Sequence, residues 1–284
     1  RTWQTHMVAH ALWYKQIHTY LGVIEALAGL PFDVRFVSFD EVIEGGMGAL
    51  EDVDVVINAG AANTSFSGGR VWEDLRLQDA VRRFVARGGG FIGIGQPTAS
   101  VGTQGNADRG GICRGSIFAL SDVLGVDQEI SWSLSKDHYE EPVSEHFITA
   151  DLDGDYIFGE DPGDVVVTDS ATHVLVMDRG SVRASAHDFC GGRGVYLAGL
   201  TWSTANSRLL HRAIMWAAHA EDQWQSVLSS SNPDVEVAWY PESALAFVYN
   251  DADAPRSSEI SGQGGQILVE LAAGQGRWVD WEKG

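Results

Sequence analysis

Two short apolar runs, each ending in glycine and joined by one amphipathic stretch, constrain this chain more than any other feature. Val53–Gly60 reads V-D-V-V-I-N-A-G, and Gly89–Gly95 reads G-G-F-I-G-I-G. Near-continuous apolar runs of this length suit strands buried on both faces. Between them Leu77, Ala80, Val81, Phe84 and Val85 recur at helical spacing, and Gly88, Gly89 and Gly90 close the stretch. Strand, helix and strand in that order form a parallel crossover. In an open sheet of this kind, ligands sit just outside the carboxyl ends of the strands. The expected site is therefore A-A-N-T-S-F-S-G-G after the first run and Q-P-T-A-S after the second. These loops carry Asn63, Thr64, Ser65, Ser67 and Gln96, but no carboxylate, His or Cys. Such groups hydrogen-bond or shape a ligand and are poorly equipped to move a proton near neutral pH.

The rest of the chain extends the pattern. Ile17, Tyr20, Leu21, Ile24, Leu27 and Ala28 form a helical stripe that Gly29 and Pro31 stop. Val34–Val37 is expected as a short strand, and Asp40 as the cap of a brief helix through Val42 and Ile43. The glycine-rich stretch from Ser100 to Gly115 reads as a surface loop, and Ile117–Leu124 as a short helix. Three strands follow, at His173–Met177, Val182–Ala186 and Val195–Leu200, the first two turning through Asp178-Arg179-Gly180. Asn206–His219 is a further helix. After Asn232-Pro233 the pattern changes to short strands at Val235–Tyr240, Ala244–Tyr249, Gln266–Leu271 and Arg277–Trp281. The expectation is an α/β fold with an open, mostly parallel sheet and flanking helices over residues 1–226. A small antiparallel β domain is expected over residues 227–284.

Composition narrows the function classes. A formal net charge of −20 over 284 residues argues against nucleic acid or an anionic membrane as partner. No run of about 18 apolar residues is present to span a bilayer. Two cysteines, Cys113 and Cys190, make neither a disulfide framework nor a structural zinc site. The chain opens on Arg1-Thr2-Trp3, which reads as a start inside a longer protein.

Several motifs compete with bland explanations. Gly111-Ile112-Cys113-Arg114-Gly115 spells the G-x-C-x-G elbow of class I glutamine amidotransferases, with His187 downstream. That nucleophile needs a strand leading into the turn, and residues 101–110 offer none. The strand-to-helix position is Gly93–Pro97, where Gly95 stands in place of a cysteine, so Cys113 is expected to be catalytically idle. Gly93-x-Gly95-x-x-Thr98 half-matches a dinucleotide fingerprint and is better read as close backbone packing. His138, His146, His173 and His187 do not fall at metal-ligand spacing. Trp72, beside the first loop, is the tryptophan kept as a sugar-stacking residue.

Strings along nearly the whole chain then become specific together. R-T-W-Q (1–4), M-V-A-H-A-L (7–12), Y-L-G-V-I-E-A-L-A-G-L (20–30), V-R-F-V-S-F-D-E-V (34–42), G-G-R-V-W (68–72), H-F-I-T-A-D (146–151), G-R-G-V-Y-L-A-G-L (192–200) and S-S-N-P-D-V-E-V-A (230–238) occur in order. They resemble the second and third domains of the lacto-N-biose/galacto-N-biose phosphorylases, the 1,3-β-galactosyl-N-acetylhexosamine phosphorylase family. The resemblance implies a glutaminase-like (flavodoxin- or Rossmann-like) α/β domain lacking its first strand, then a C-terminal β domain. It implies an inverting phosphorylase whose catalytic acid lies in an N-terminal TIM-type barrel absent here. No catalytic residue is therefore assigned to this chain, and the chain alone is expected to be inactive. No metal or organic cofactor is implied, and inorganic phosphate is the co-substrate. The implied partners are a β-galactoside disaccharide, the enzyme's own barrel and a second copy in a homo-oligomer, with a cytoplasmic location. Asn63, Thr64 and Gln96 are the substrate-binding candidates. The family loops often read G-G-P-x-D-T and G-E-P, whereas here Asn63 and Gln96 put amides in place of acids. The alternative is a non-catalytic glutaminase-like scaffold or partner-binding domain.

Overall fold

The computed structural model describes residues 11–28, 32–60, 68–99, 117–128, 143–150, 152, 154, 156–159, 164–226, 228–262 and 265–281. The helices of the first part are α1 (Ala11–Leu27), α2 (Phe39–Gly45), α3 (Leu75–Ala86), α4 (Ser121–Leu124) and α5 (Thr204–Ala217). Its strands are β1 (Val55–Gly60), β2 (Gly90–Gly95), β3 (Val126–Gln128), β4 (Val165–Val167), β5 (His173–Asp178), β6 (Ser181–Phe189) and β7 (Gly192–Leu197). Five of them form one sheet in the order β1-β2-β7-β6-β5, while β3 and β4 pair by themselves.

Period-two alternation builds a core on each face of that sheet. Phe91 and Tyr196 join Leu77, Val81, Phe84, Val123 and Leu124 on the face covered by α3 and α4. Ile92, Ile94, Val195 and Leu197 join Val23, Ala26, Leu209 and Ala213 on the face covered by α1 and α5. Phe91, Ile92 and Ile94 are fully buried, as a two-sided strand requires. Capping is local. Ser203 accepts from the Asn206 amide at the start of α5, and Asp74 from the Arg76 amide at the start of α3.

The structure corrects several expectations. The sheet is mixed: β1, β2 and β7 pair parallel, and β6 pairs antiparallel with both β7 and β5, so β6 alone runs against the other four. The reason lies in two tight connections. Asp178 pairs with Ser181 across Arg179 and Gly180, both left-handed at φ 50° and 75°, and Phe189 pairs with Gly192. Two-residue turns of this kind join only antiparallel neighbours. Val34–Val37 forms no strand; Val34 and Phe36 are exposed, and Arg35 reaches the Ala49 carbonyl at 2.7 Å. Asp40 does not cap α2. Ser38 does, in a capping box where its hydroxyl accepts from the Glu41 amide and Glu41 accepts from the Ser38 amide. Of Ile117–Leu124 only the last turn is helical. Val55–Ile57 are half-buried rather than closed on both faces.

The C-terminal part is a small sandwich. It contains β8 (Ser229–Ser230), β9 (Val235–Tyr240), β10 (Leu245–Asn250), β11 (Arg256–Gly262), β12 (Gly265–Leu271) and β13 (Gly276–Asp280). Its sheets are β13-β10-β9 and β12-β11-β8, with Val235, Val248, Ile260, Val269 and Leu271 between them. Asn250 is fully buried and donates to the Ala254 and Ala272 carbonyls at 2.9 Å while accepting from the Ala252 amide. Sequence pattern does not reveal β11, because Arg256–Gly262 is mostly Ser and Gly with little apolar alternation.

Candidate functional site at the strand ends

The parallel strands β1 and β2 end side by side, Gly60 opposite Gly95. Both glycines are left-handed, at φ 126° and 83°. A Cβ on Gly95 would stand 2.9 Å from the Gly60 oxygen, so only glycine lets the two chain ends approach this closely. The Gln96 amide donates to that same oxygen at 3.0 Å. Pro97 then folds under the sheet against Gly93, where a Cβ would meet its Cγ at 2.7 Å. Thr98 is left-handed at φ 61° and buried; its hydroxyl accepts from the Leu120 amide at 3.3 Å. Left-handed threonine is strained and persists only where the surroundings hold it. The half-match to a dinucleotide fingerprint is thus explained by close backbone packing.

Gln96 is half-buried, and its amide nitrogen donates to Gln128 Oε1 at 3.1 Å. One residue before Gln128, Asp127 accepts from the amides of Phe118 (2.8 Å), Gln128 (2.9 Å) and Ile117 (3.1 Å). Charge-assisted bonds of this kind are about twice as strong as neutral ones. They commit both carboxylate oxygens to fixing the chain where it enters α4. What the described strand ends present is therefore amide and backbone hydrogen bonding. Asn63, Thr64 and Cys113 lie outside the described residues.

Other residues that stand out in the sequence take structural places. Trp72 is buried, with Phe39 edge-on at 5.7 Å and Phe91 at 6.5 Å, so it belongs to the core and is no sugar platform. Its apolar neighbours come from α2 and β2, which the local sequence around it does not reveal. His187 is buried on β6, with Nδ1 3.2 Å from Thr172 Oγ1. Thr172 gives its proton to the Gly125 carbonyl at 3.0 Å, so His187 Nδ1 carries a proton and donates to the hydroxyl. This chain of bonds ties the β5 approach to the end of α4. Cys190 is an exposed thiol in the β6–β7 turn. Among the described residues no group of three or more His, Cys, Asp or Glu side chains could hold a metal. His138 lies outside the described residues.

Two half-buried imidazoles are held neutral. Burial, and then His173 nearby, pushes His146 down to about 4, while its Nδ1 accepts from the Ile148 amide. Burial also pushes His211 down to about 4, although its ring bonds the Ala26 carbonyl. In the unfolded chain both titrate near 6.5. Between pH 6.5 and 4 the unfolded state binds protons that the folded state refuses, so stability falls as acid is added. The expected result is a urea midpoint lower at pH 5 than at pH 7, with a shallower dependence in a His146→Gln/His211→Gln variant. An equal pH dependence in wild type and variant would show that these rings are not the cause.

Fold and site define a mixed α/β domain with an appended β sandwich, its described strand ends offering amide and backbone hydrogen bonds. The family profile of the lacto-N-biose phosphorylase central domain matches residues 1–222, and that of the C-terminal domain matches residues 228–279. The chain belongs to the lacto-N-biose phosphorylase family. It is 41% identical to a 1,3-β-galactosyl-N-acetylhexosamine phosphorylase of Lachnoclostridium phytofermentans, over 98% of this chain and 37% of that protein. Identity to the 1,3-β-galactosyl-N-acetylhexosamine phosphorylase of Bifidobacterium longum subsp. longum is 37%, over 92% of this chain and 37% of that protein. A D-galactosyl-β-1→4-L-rhamnose phosphorylase of L. phytofermentans is 31% identical, over 90% of this chain and 33% of that protein. The chain thus spans little more than a third of the length of these relatives. Among solved structures it is similar to the β-galactosidase from Bacillus circulans sp. alkalophilus, at 16% identity and TM-score 0.44, covering 93% of this chain and 37% of that one. A β-galactosidase from Rahnella sp. R3 gives 14% identity and TM-score 0.47, covering 92% of this chain and 36% of that one.

Proposed function

We propose that this chain is the C-terminal part of an inverting β-galactoside phosphorylase, where it supports a barrel active site and its assembly. The observation that carries the reading is identity of 37–41% to galactosyl-N-acetylhexosamine phosphorylases over nearly all of this chain but 37% of their length. The first domain is read as glutaminase-like, in the flavodoxin- or Rossmann-like sense. The parallel trio β1, β2 and β7 with helices on both faces supports that reading.

The chemistry is balanced by phosphate and one acid. A phosphate oxygen attacks the galactosyl anomeric carbon from the face opposite the glycosidic bond. That bond breaks, an acid protonates the departing oxygen, and the products are α-galactose 1-phosphate and the free N-acetylhexosamine. An inverting hydrolase needs a second carboxylate to activate water. Here phosphate is the nucleophile, so a single acid within hydrogen-bond reach suffices. That acid belongs to the barrel, and the enzyme works in the cytoplasm with no cofactor beyond phosphate. Asn63 and Thr64, with Gln96 from the neighbouring strand, contact the acceptor sugar or the barrel loops around it.

The test is made on the complete enzyme, barrel included. Lacto-N-biose and galacto-N-biose are offered with inorganic phosphate, and the products are followed by proton and phosphorus NMR. The expected result is phosphate-dependent release of N-acetylhexosamine with the α anomer of galactose 1-phosphate. Release of free galactose without phosphate consumption would replace this reading with that of a hydrolase, and no turnover of any β-galactoside with that of a non-catalytic scaffold.

A further inference from the structure

The C-terminal sandwich turns an aromatic face outward. Along β10, Ala246, Val248 and Asn250 point into the core, which leaves Phe247 and Tyr249 on the other side. Phe247 pairs across the sheet with Trp278 and Ala238, and Tyr249 with Gly276 and Glu236. The Phe247 and Trp278 rings lie 5.1 Å apart, and Tyr240 lies 5.5 Å beyond. Trp278 is 57% exposed and Tyr240 46%. At its other end this face enters a cavity of about 280 Å³ between the sheet and helices α1 and α5. Phe247, Tyr249 and Glu236 line one wall; Ser207 and Arg208 of α5, with Trp224 just beyond it, line the other.

One polar group of this cavity is buried with no hydrogen-bond partner among the described residues. Ser207 Oγ is buried there without one, in a side chain that is more than nine-tenths buried. Buried hydroxyls are ordinarily satisfied, so an unmet one on a cavity wall points to a missing ligand group. Tyr249 and Glu236 line the same cavity, where burial raises the Glu236 carboxyl above the usual carboxylate range. The lining carries charge of both signs, Glu25 and Glu236 as well as Arg208. Arg208, held 5.6 Å from the Trp224 ring centre, repels a cation, while Glu236 with Asp251 nearby repels an anion. A neutral ligand rich in both donors and acceptors meets neither penalty. Flat aromatic walls suit the C–H face of a pyranose ring, whose hydroxyls would reach the serine, tyrosine and carboxylate at the edges.

We propose that this cavity is a saccharide-binding site that takes a neutral, pyranose-containing mono- or disaccharide. It shares no residue with the strand ends of β1 and β2. Binding here is independent of phosphorolysis and is read without phosphate or turnover, so each proposal can fail alone.

The test titrates the 284-residue chain with galactose, N-acetylglucosamine, rhamnose and lacto-N-biose, followed by tryptophan fluorescence and calorimetry. At least one sugar is expected to saturate with Kd of about 1 mM. Glu236→Gln and Tyr249→Phe are each expected to weaken it about fivefold, as the loss of one hydrogen bond would. If either variant fails to fold, amide shifts mapped on the wild-type chain replace it, and they should centre on Ser207, Trp224 and Tyr249. Absence of saturation by any sugar up to about 50 mM, well above the expected Kd, would overturn the proposal. So would sugar binding that both variants leave unchanged, shifts centred elsewhere, or saturation by inorganic phosphate or tetramethylammonium in place of sugar.

Discussion

Replacing Gly194 with alanine is expected to destabilise the α/β domain by about 3 kcal/mol or more, the upper end of what overpacking a core costs. Gly194 sits in β7, the central strand, paired with Phe91 on one side and His187 on the other. A Cβ there would stand 2.0 Å from the Val123 carbonyl oxygen, 2.8 Å from its carbon and 3.3 Å from the Leu124 Cα. The obstacle is backbone, so no rotamer change relieves it. α4 would have to move away from the sheet, yet Val123, Leu124 and Tyr196 around it are fully buried. For a domain whose total stability is of the usual order of about 5–15 kcal/mol, such a loss is a large fraction. Urea unfolding would measure it, with Gly48→Ala as control. A Cβ on Gly48 would meet nothing within 4 Å, and its φ is not left-handed, so its replacement should change stability by less than about 0.5 kcal/mol. Equal midpoints for the two variants would show that α4 is not seated against β7 as described.

The second large effect concerns activity. The 284-residue chain alone is expected to give no phosphorolysis of lacto-N-biose or galacto-N-biose. A general acid contributes roughly 10²–10⁴-fold to such a reaction, and positioning of the two substrates contributes more. At the described strand ends the carboxylate of Asp127 already accepts three backbone amides, which leaves it anchoring chain rather than donating a proton. Phosphate consumption would be followed over hours against a blank. Turnover by a preparation shown free of any barrel-containing protein would place the acid within this chain and sink the reading. Loss of activity in the chain together with full activity in the complete enzyme is the expected pair of results.

Much of the local structure was legible. The stripe from Leu77 to Val85 became α3, the two glycine-ended runs became β1 and β2, and the turn at Asp178–Gly180 became a hairpin. Each of these rests on contacts within a few residues or on one repeating period. The capping box at Ser38 and Glu41 is equally present in the sequence as S-x-x-E, a stronger signal than the lone Asp40. For the candidate site, Gln96 was correctly placed at a strand end, but its tie to Gln128 joins residues 32 apart, with β3 between β2 and β7 in sequence though outside their sheet. The burial of Trp72 was illegible, since Phe39 and Phe91 reach it from separate elements.

By itself the sequence determined the strongly periodic elements such as α3, β1 and β2, the glycines at the ends of those strands, and the family, because periodicity, turn chemistry and ordered motifs are all properties of the linear chain. Tertiary structure decided the rest. Only pairing could show that the β5–β6 hairpin joins the parallel sheet through β7, making it mixed, while Val34–Val37 stays outside it. Only packing could commit Asp127 to backbone amides and bring Ser207, Trp224, Glu236 and Tyr249 around one cavity. The physical reason is that hydrogen-bond satisfaction and burial belong to neighbours in space, and those neighbours come from segments whose spacing along the chain carries no record of their meeting.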